Sequence, residues 1–508
     1  MIKLIYRIES DYMSKKRMLI VTSVTLSVVT ISLGIVKLYQ TYALSNYIGT
    51  VTDTGIDVYI NDDSYASIPA NGSSNVYYML TNTNPGTVKY GVAYQTTSGV
   101  TVKVYDTSED PATGTIEEND KKYIKLHLEN KNSTNKTIEL STVLGYENGG
   151  DLVVPSGVTL VTDTYTPPPT AAEYITKLYT TASKTTVTNN SITYNTAPSV
   201  SLMNDRLGGT TTDLDGGNIR YYGANPNNYI YFNCSDYSNQ TSSTCETWRI
   251  IGVFDGKLKL IKGSQIGTYS WDNKNTSTGA ENNSGKNDWT TARLMKLLNP
   301  VDYYINDNND KDSEGNYLGY SLYYNSTSGK CYSGKNNATV DCDFTSTGIK
   351  NDETRNMIAE TTYNLGGWNT FTVYPNEIYE YERGTTVYTG RLPTWTGKIA
   401  LAYPSDYGYA ADLNQCKQTL YNYDNSTCTS NNWMKAIITN NGSNDGWLLT
   451  PHSSYSHSVW SVYSSGYVIY RSAYNVIGVV PVLSLSSKLG IEPGSGDGSS
   501  SNPYKLSA

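Results

Sequence analysis

Charge is scarce in this chain. Asp, Glu, Lys and Arg make up 17% of its 508 residues, and the net charge is −8. Nucleic-acid binders need basic stripes that displace counterions from phosphates, so the balance argues against a nucleic-acid partner. Histidine is rarer still, with His127, His452 and His457 the whole supply. His452 and His457 stand five apart in a polar segment with no third ligand implied, and no tight Cys-x-x-Cys pair occurs, so the spacing gives no zinc site. No Gly-x-Ser-x-Gly elbow, P-loop or dinucleotide fingerprint appears. Carboxylates are plentiful but scattered, and no glycosidase-like pair stands out. The expectation is a non-enzyme without a cofactor. His127, in the alternating stretch YIKLHLE, is expected on the wet face of a strand.

Phenylalanine is also nearly missing. There are 4 Phe against 47 Tyr. An AT-rich genome would enrich both residues, so base composition does not explain the skew. Tyr offers a large flat contact area plus a hydroxyl at low entropic cost, which suits it to binding surfaces. A Tyr-rich secreted β protein without a particular ligand is the plainer reading.

One long apolar run is present, Met18–Val36, free of charge and mostly aliphatic. At ~1.5 Å per residue it reaches roughly 28 Å, close to a bilayer core. Lys15, Lys16 and Arg17 stand just before it, and the positive-inside rule keeps them cytoplasmic. The expectation is a single-pass membrane anchor (span about 18–36) within residues 1–44, N-terminus inside and bulk outside. A cleaved signal peptide is the alternative, although the cleavage candidate around Ala43 and Ser45 is poor.

The six cysteines form three close pairs, Cys234/Cys245, Cys331/Cys342 and Cys416/Cys428, each eleven or twelve positions apart in a Ser/Asn/Thr-rich interval. Six Cys allow 15 pairings. The even local spacing favours nearest neighbours, as three surface staples in an oxidising compartment. Each would contribute roughly 2–4 kcal/mol through loop closure.

Residues 45–165 carry short alternating segments such as Val76–Thr81, Lys89–Tyr94, Thr101–Tyr105, Tyr123–Leu128 and Thr137–Leu144, separated by Asn/Gly/Pro/Ser clusters. They predict an all-β sandwich. The stretch from Ser67 resembles bacterial immunoglobulin-like domains, without their Cys–Trp–Cys core. Residues 166–199 hold a Pro-rich linker, TPPPT, and a short helix at Ala171–Tyr179. Residues 200–486 mix strands and helices, an α+β pattern. WRIIGVFDGKLKLIK (248–262) reads as two strands about an Asp255-Gly256 turn. Asp288 and Asp352 are positioned to cap helices. Late strands are expected at Lys398–Tyr403, Trp447–Thr450, Ser458–Tyr463, Tyr467–Tyr470 and Val479–Leu485. Residues 487–508 are a Gly/Ser-rich tail.

The segment 447–483 carries Trp447-Leu448 with Pro451, Val462 with Gly466, and Gly478-Val479 with Pro481. In this pattern it resembles the closing motif of the C-type-lectin-like branch that includes the sulfatase-modifying, formylglycine-generating family. Uncharacterised surface proteins of gut Firmicutes and Mollicutes belong to the same branch. GANPNNYIYFN, WRIIGVF, IGTYSWD and YPSDYGYA resemble those surface proteins too, so the likeness covers roughly 172–508. It implies a C-type-lectin-like C-terminal domain at a cell surface. Val480 stands where the family commonly has Arg, Leu449 and Thr450 stand where many relatives have Arg-Ser, and the segment lacks a catalytic Cys pair. The resemblance therefore implies fold and location without activity.

Two segments are candidate sites. In NDNNDKDSEGN (306–316), Asp310, Asp312 and Glu314 mimic the first half of a calcium loop, with Gly315 for the turn. Ser321 replaces the closing Glu, so an EF-hand fails. A structural calcium and a plain solvated acidic loop both remain open. The stretch 452–475 holds five Tyr, eight Ser and two His, a mixture that makes an adaptable contact surface. Tyr455, His457, Trp460, Tyr463, Tyr467, Tyr470 and Tyr474 are the expected ligand-binding residues. The function these features predict is an adhesin or receptor for a glycan or a host or bacterial surface protein. The alternatives are a structural envelope protein and, less favoured, an exported enzyme.

Overall fold

The sandwich expected near the N-terminus depends on alternation, which Gly72–Asn82 shows while Val88–Gln95 is buried along most of its length. The computed structural model describes residues 58–59, 65–82, 86–145, 152–205, 217–281, 283–492 and 494–507. The predicted span at 18–36 lies outside them. No helix among the described residues is long and apolar enough to cross a membrane. The chain is mostly β, in several sheets, with few short helices, and it divides between Pro167 and Pro168 into two units.

The N-terminal unit is two five-stranded sheets over one core. One sheet runs in the order Val58–Tyr59, Gly72–Asn82, Lys121–Asn130, Val100–Tyr105, Thr164–Tyr165. The other runs Tyr65–Ile68, Lys136–Gly145, Val88–Gln95, Thr113–Ile116, with Val158–Leu160 also on Val88–Gln95. Tyr78, Leu80, Ile124, Leu126 and Val102 of the first sheet meet Ile68, Tyr90, Val92, Ile138 and Leu140 of the second. Alternate residues face inward because side chains in a strand point to opposite faces in turn. His127 departs from its expected place: it is buried. Its ring stacks on Tyr165 at 3.6 Å and 6°, and its Nδ1 lies 2.7 Å from the Asn75 side-chain oxygen. Tyr165 belongs to the last strand, which pairs in parallel with Val100–Tyr105, and its ring covers the imidazole.

The C-terminal unit is built around a nine-stranded sheet and a five-stranded sheet. In the larger sheet Glu246–Phe254 and Lys257–Lys262 pair across Asp255 and Gly256. Both turn residues have positive φ, 49° and 69°, the twist a two-residue hairpin turn requires. Val482–Ser484 inserts between Lys257–Lys262 and Ile399–Ala400, bringing the C-terminal third of the chain onto the central strands. The smaller sheet holds Thr268–Ser270, Val476–Gly478, Gly446–Pro451, Ser458–Val462 and Val468–Ser472 in that order.

Helix Ala171–Thr181 starts with a reciprocal Thr170/Glu173 cap and buries Ala171, Ile175 and Tyr179 in the unit's main core. Two expected caps differ. Asn351, rather than Asp352, caps the helix Asp352–Met357. Asp288 makes no cap bond; its carboxylate accepts from the Thr290 hydroxyl at 2.6 Å. Of the Gly/Ser-rich tail, residues 487–492 and 494–507 are packed rather than loose. Gly490–Ile491 pairs with Leu506–Ser507, and Leu489, Ile491, Tyr504 and Leu506 join the main core.

All six cysteines are bonded, as Cys234–Cys245, Cys331–Cys342 and Cys416–Cys428. Three disulfides point to an oxidising location.

Candidate functional site

The hairpin Ser458–Val462/Val468–Ser472 carries most of the expected ligand-binding residues. Its tip closes with Tyr463 N–H donating to Tyr467 and Gly466 N–H donating to Tyr463, each at 2.8 Å. Gly466 has φ 124°, a conformation that favours glycine, and the buried Tyr407 hydroxyl donates to its carbonyl at 2.6 Å. The loop before the hairpin is held from below. The buried Asn287 amide donates to the carbonyls of His452, Tyr455 and Ser458 at 2.8–3.1 Å. Arg391 donates to Asn287 and to Ser456, and pairs with Glu281 at 2.8 Å. His452 Nδ1 accepts the backbone N–H of Ser454 and Tyr455. Burial, with His457 nearby, lowers its pKa to about 4, so the ring is a neutral acceptor at physiological pH.

The seven expected residues separate into four groups. Tyr455, His457 and Tyr470 line one open depression of about 350 Å³, with Arg471, Ser472 and Asn475 on its wall. Tyr455 is 48% exposed, and its ring packs on His452 at 4.5 Å and near Tyr470 at 5.6 Å. Arg471 donates twice to Asp445, at 3.1 and 2.7 Å, which neutralises its charge. Tyr463 and Tyr467 stack on each other at 4.8 Å by the hairpin tip. Tyr474 lies apart, under the Lys335 ammonium at 4.7 Å.

Trp460 corrects the sequence expectation. It is buried, and it stacks on Trp368 at 3.8 Å and 3°. Its strand is buried at every position, so its alternation marks no wet face. Trp460 thus supports the surface from beneath, with Tyr470 edge-on above it at 5.5 Å.

Two surface aromatics were missed. Phe371 and Tyr421 contact each other at 4.7 Å and are 37% and 41% exposed. Phe371 stacks on Tyr470 at 5.5 Å, and Tyr421 meets Tyr467 at 5.5 Å. Signals existed for both. Phe371 is one of 4 Phe in a chain that otherwise uses Tyr, and Tyr421 lies inside the Cys416–Cys428 loop.

The acidic loop does not assemble. Asp310 is buried and pairs with Arg293 at 2.7 Å and Lys296 at 2.5 Å, while the Tyr320 hydroxyl donates to it at 3.0 Å. Burial opposes its charge, but Arg293 and Lys296 prevail and hold its pKa low. The half-buried Asp312 accepts the backbone N–H of Glu314 and Asn316 within its own turn. Among the described residues no group of three or more His, Cys, Asp or Glu is arranged to hold a metal.

The remaining concentration of charge is interior. Asp406 accepts from Arg220 at 2.9 Å and from Lys259 at 2.5 Å, and Arg220 also pairs with Asp205. All four are buried, and two acids balance two bases. Burial works against ionisation of Asp406, yet Lys259 and Arg220 keep its pKa lowered. Nearby, burial pushes Glu382 up to about 7 against the pull of Arg383 and two hydrogen bonds from Ser405.

Comparison with known proteins gives no match: no family model, no curated protein and no solved structure matches the chain.

Proposed function

We propose that this chain is a membrane-anchored extracellular binding protein, an adhesin or receptor for a glycan or a surface protein. Its ligand face is the depression at Tyr455, His457 and Tyr470. That depression carries the reading: exposed aromatic faces and uncharged polar groups converge on a loop pinned by Asn287 and Arg391. Preorganisation of this kind lowers the cost of ordering a contact surface on binding. Export is supported by the three disulfides, and the anchor by the apolar run behind Lys15, Lys16 and Arg17. The immunoglobulin-like reading of the N-terminal unit rests on its two sheets over a shared core. The lectin-like reading of the C-terminal unit rests on the motif at 447–483.

The test is an array of glycans and host and bacterial surface proteins probed with the full chain, disulfides intact. Selective binding that falls at least tenfold in Tyr455→Ala and Tyr470→Ala is expected. Binding unchanged by both substitutions removes this face as the site. A blank array alongside self-association favours an envelope-structural role instead.

A further inference from the structure

Six aromatic rings form one unbroken run of contacts on the C-terminal unit, and three separate segments supply them. From Tyr455 the run passes to Tyr470 at 5.6 Å, Phe371 at 5.5 Å, Tyr421 at 4.7 Å, Tyr467 at 5.5 Å and Tyr463 at 4.8 Å. Each ring is exposed or half-buried. A fold that buries Trp248, Trp271, Trp289, Trp447 and Trp460 has ample means to hide aromatics. Leaving six together at the surface forgoes that burial, and contiguous apolar surface of this kind marks a docking site.

Resting on the binding role proposed above, we infer that the occupant is an uncharged oligosaccharide chain several sugar rings long, lying across these six aromatics. Its length follows from contiguity: the depression holds only Tyr455 and Tyr470 of the six, and Phe371 and Tyr421 carry the surface on to Tyr467 and Tyr463. Its lack of charge follows from the wall. Arg471, the formal charge lining the depression, is taken by Asp445, so an anionic chain finds no free cation there. Its chemistry follows from the faces. Aromatic faces are electron-rich and attract the C–H faces of a sugar ring. Five of the six rings carry phenol hydroxyls, and Ser472 and Asn475 add neutral groups to bond sugar hydroxyls. The Cys416–Cys428 staple fixes Tyr421 because Leu420, Tyr423 and both cysteines share one core cluster beneath it.

The experiment is calorimetric titration of the full chain with linear neutral oligosaccharides from disaccharide to octasaccharide, matched by uronic-acid chains of the same lengths. Affinity should climb with length for the neutral series, by about tenfold for each additional pair of rings engaged. Phe371→Ala with Tyr421→Ala should return the longest chain to disaccharide affinity, and Tyr421→Phe should retain length dependence. Tyr455→Ala should weaken every length. Affinity that ignores length, or a preference for the acidic series, overturns the inference while the Tyr455 depression stands as a site. No sugar binding, with a protein partner still lost in Tyr455→Ala, overturns the inference and leaves the receptor reading. If neither sugar nor protein binds, both fall.

Discussion

The two units bury polar groups in opposite ways. The N-terminal sandwich keeps its shared core almost wholly apolar and places one imidazole, His127, under the ring of Tyr165. The C-terminal unit instead buries complete ion pairs, with Asp205, Arg220, Lys259 and Asp406 together out of water. The His127 imidazole, with Glu129 3.5 Å from its Nε2, is tolerated because burial outweighs the acid and favours the neutral ring. A charge is tolerated only when every partner is present. Removing a partner should therefore wreck the C-terminal unit, whereas a pH change should suffice to weaken the N-terminal one.

Asp406→Ala should have the largest effect. It strands Lys259 and one arm of Arg220 without their acid, at a cost of about 3–5 kcal/mol. In urea unfolding of the full chain, the C-terminal transition should move to much lower denaturant while the N-terminal one holds. An unmoved C-terminal transition would break the comparison. Trp460→Ala comes next, at about 3–5 kcal/mol from the same unit, because it opens a hole against Trp368. Tyr455→Ala, on the exposed side of the same segment, should change stability by less than about 0.5 kcal/mol. Equal effects for the two would mean that Trp460 is not the support beneath the face.

The pH response sharpens the contrast. Burial lowers the His127 pKa from its ordinary 6.5, so the folded N-terminal unit binds fewer protons than the unfolded chain, and stability is lost as pH falls below 6.5. Burial raises Glu382 from 4.5 to about 7, so the folded C-terminal unit holds the extra proton. Its stability from this group is full below 4.5 and is lost as pH rises towards 7, by up to ~3 kcal/mol. Thermal unfolding between pH 4.5 and 6.5 should show the two transitions shifting in opposite directions on acidification. Glu382→Gln should flatten the C-terminal slope and His127→Phe the N-terminal one. Parallel slopes in the wild type would contradict both assignments. The smallest expected effect is that of a chelator. With Asp310 engaged by Arg293 and Lys296, calcium or its removal should leave both transitions in place.

Local rules carried the N-terminal unit. Its short segments, bounded by polar turns, place inward residues such as Leu126 and Leu128 or Ile138 and Leu140 two apart even where outer positions are also covered, and Asp255-Gly256 and the evenly spaced cysteines are equally local signals. What escaped depends on distant partners. Arg220 and Asp406 are 186 positions apart, and neither residue announces the other. Asp310 looks like half of a calcium loop until Arg293 and Lys296, on a helix just upstream, turn it inward. Trp460 looks like part of a polar, Tyr-rich face because its strand, buried on both sides, erases the alternation that would have marked it. The Gly/Ser-rich end packs because Ile491, Tyr504 and Leu506 interrupt it at the positions that meet the core. The site itself was half legible: Tyr455, His457 and Tyr470 cluster in sequence, whereas Phe371 and Tyr421 reach the face only through the fold.

The most direct test of a ligand face on the C-terminal unit is thermal unfolding of the full chain with and without the ligand selected on the array. A ligand that binds only the folded form raises the melting temperature of the unit that holds it. The C-terminal transition should rise, the N-terminal transition should stay, and Tyr455→Ala should abolish the rise. A shift confined to the N-terminal transition, or a C-terminal rise that survives Tyr455→Ala, would contradict the account.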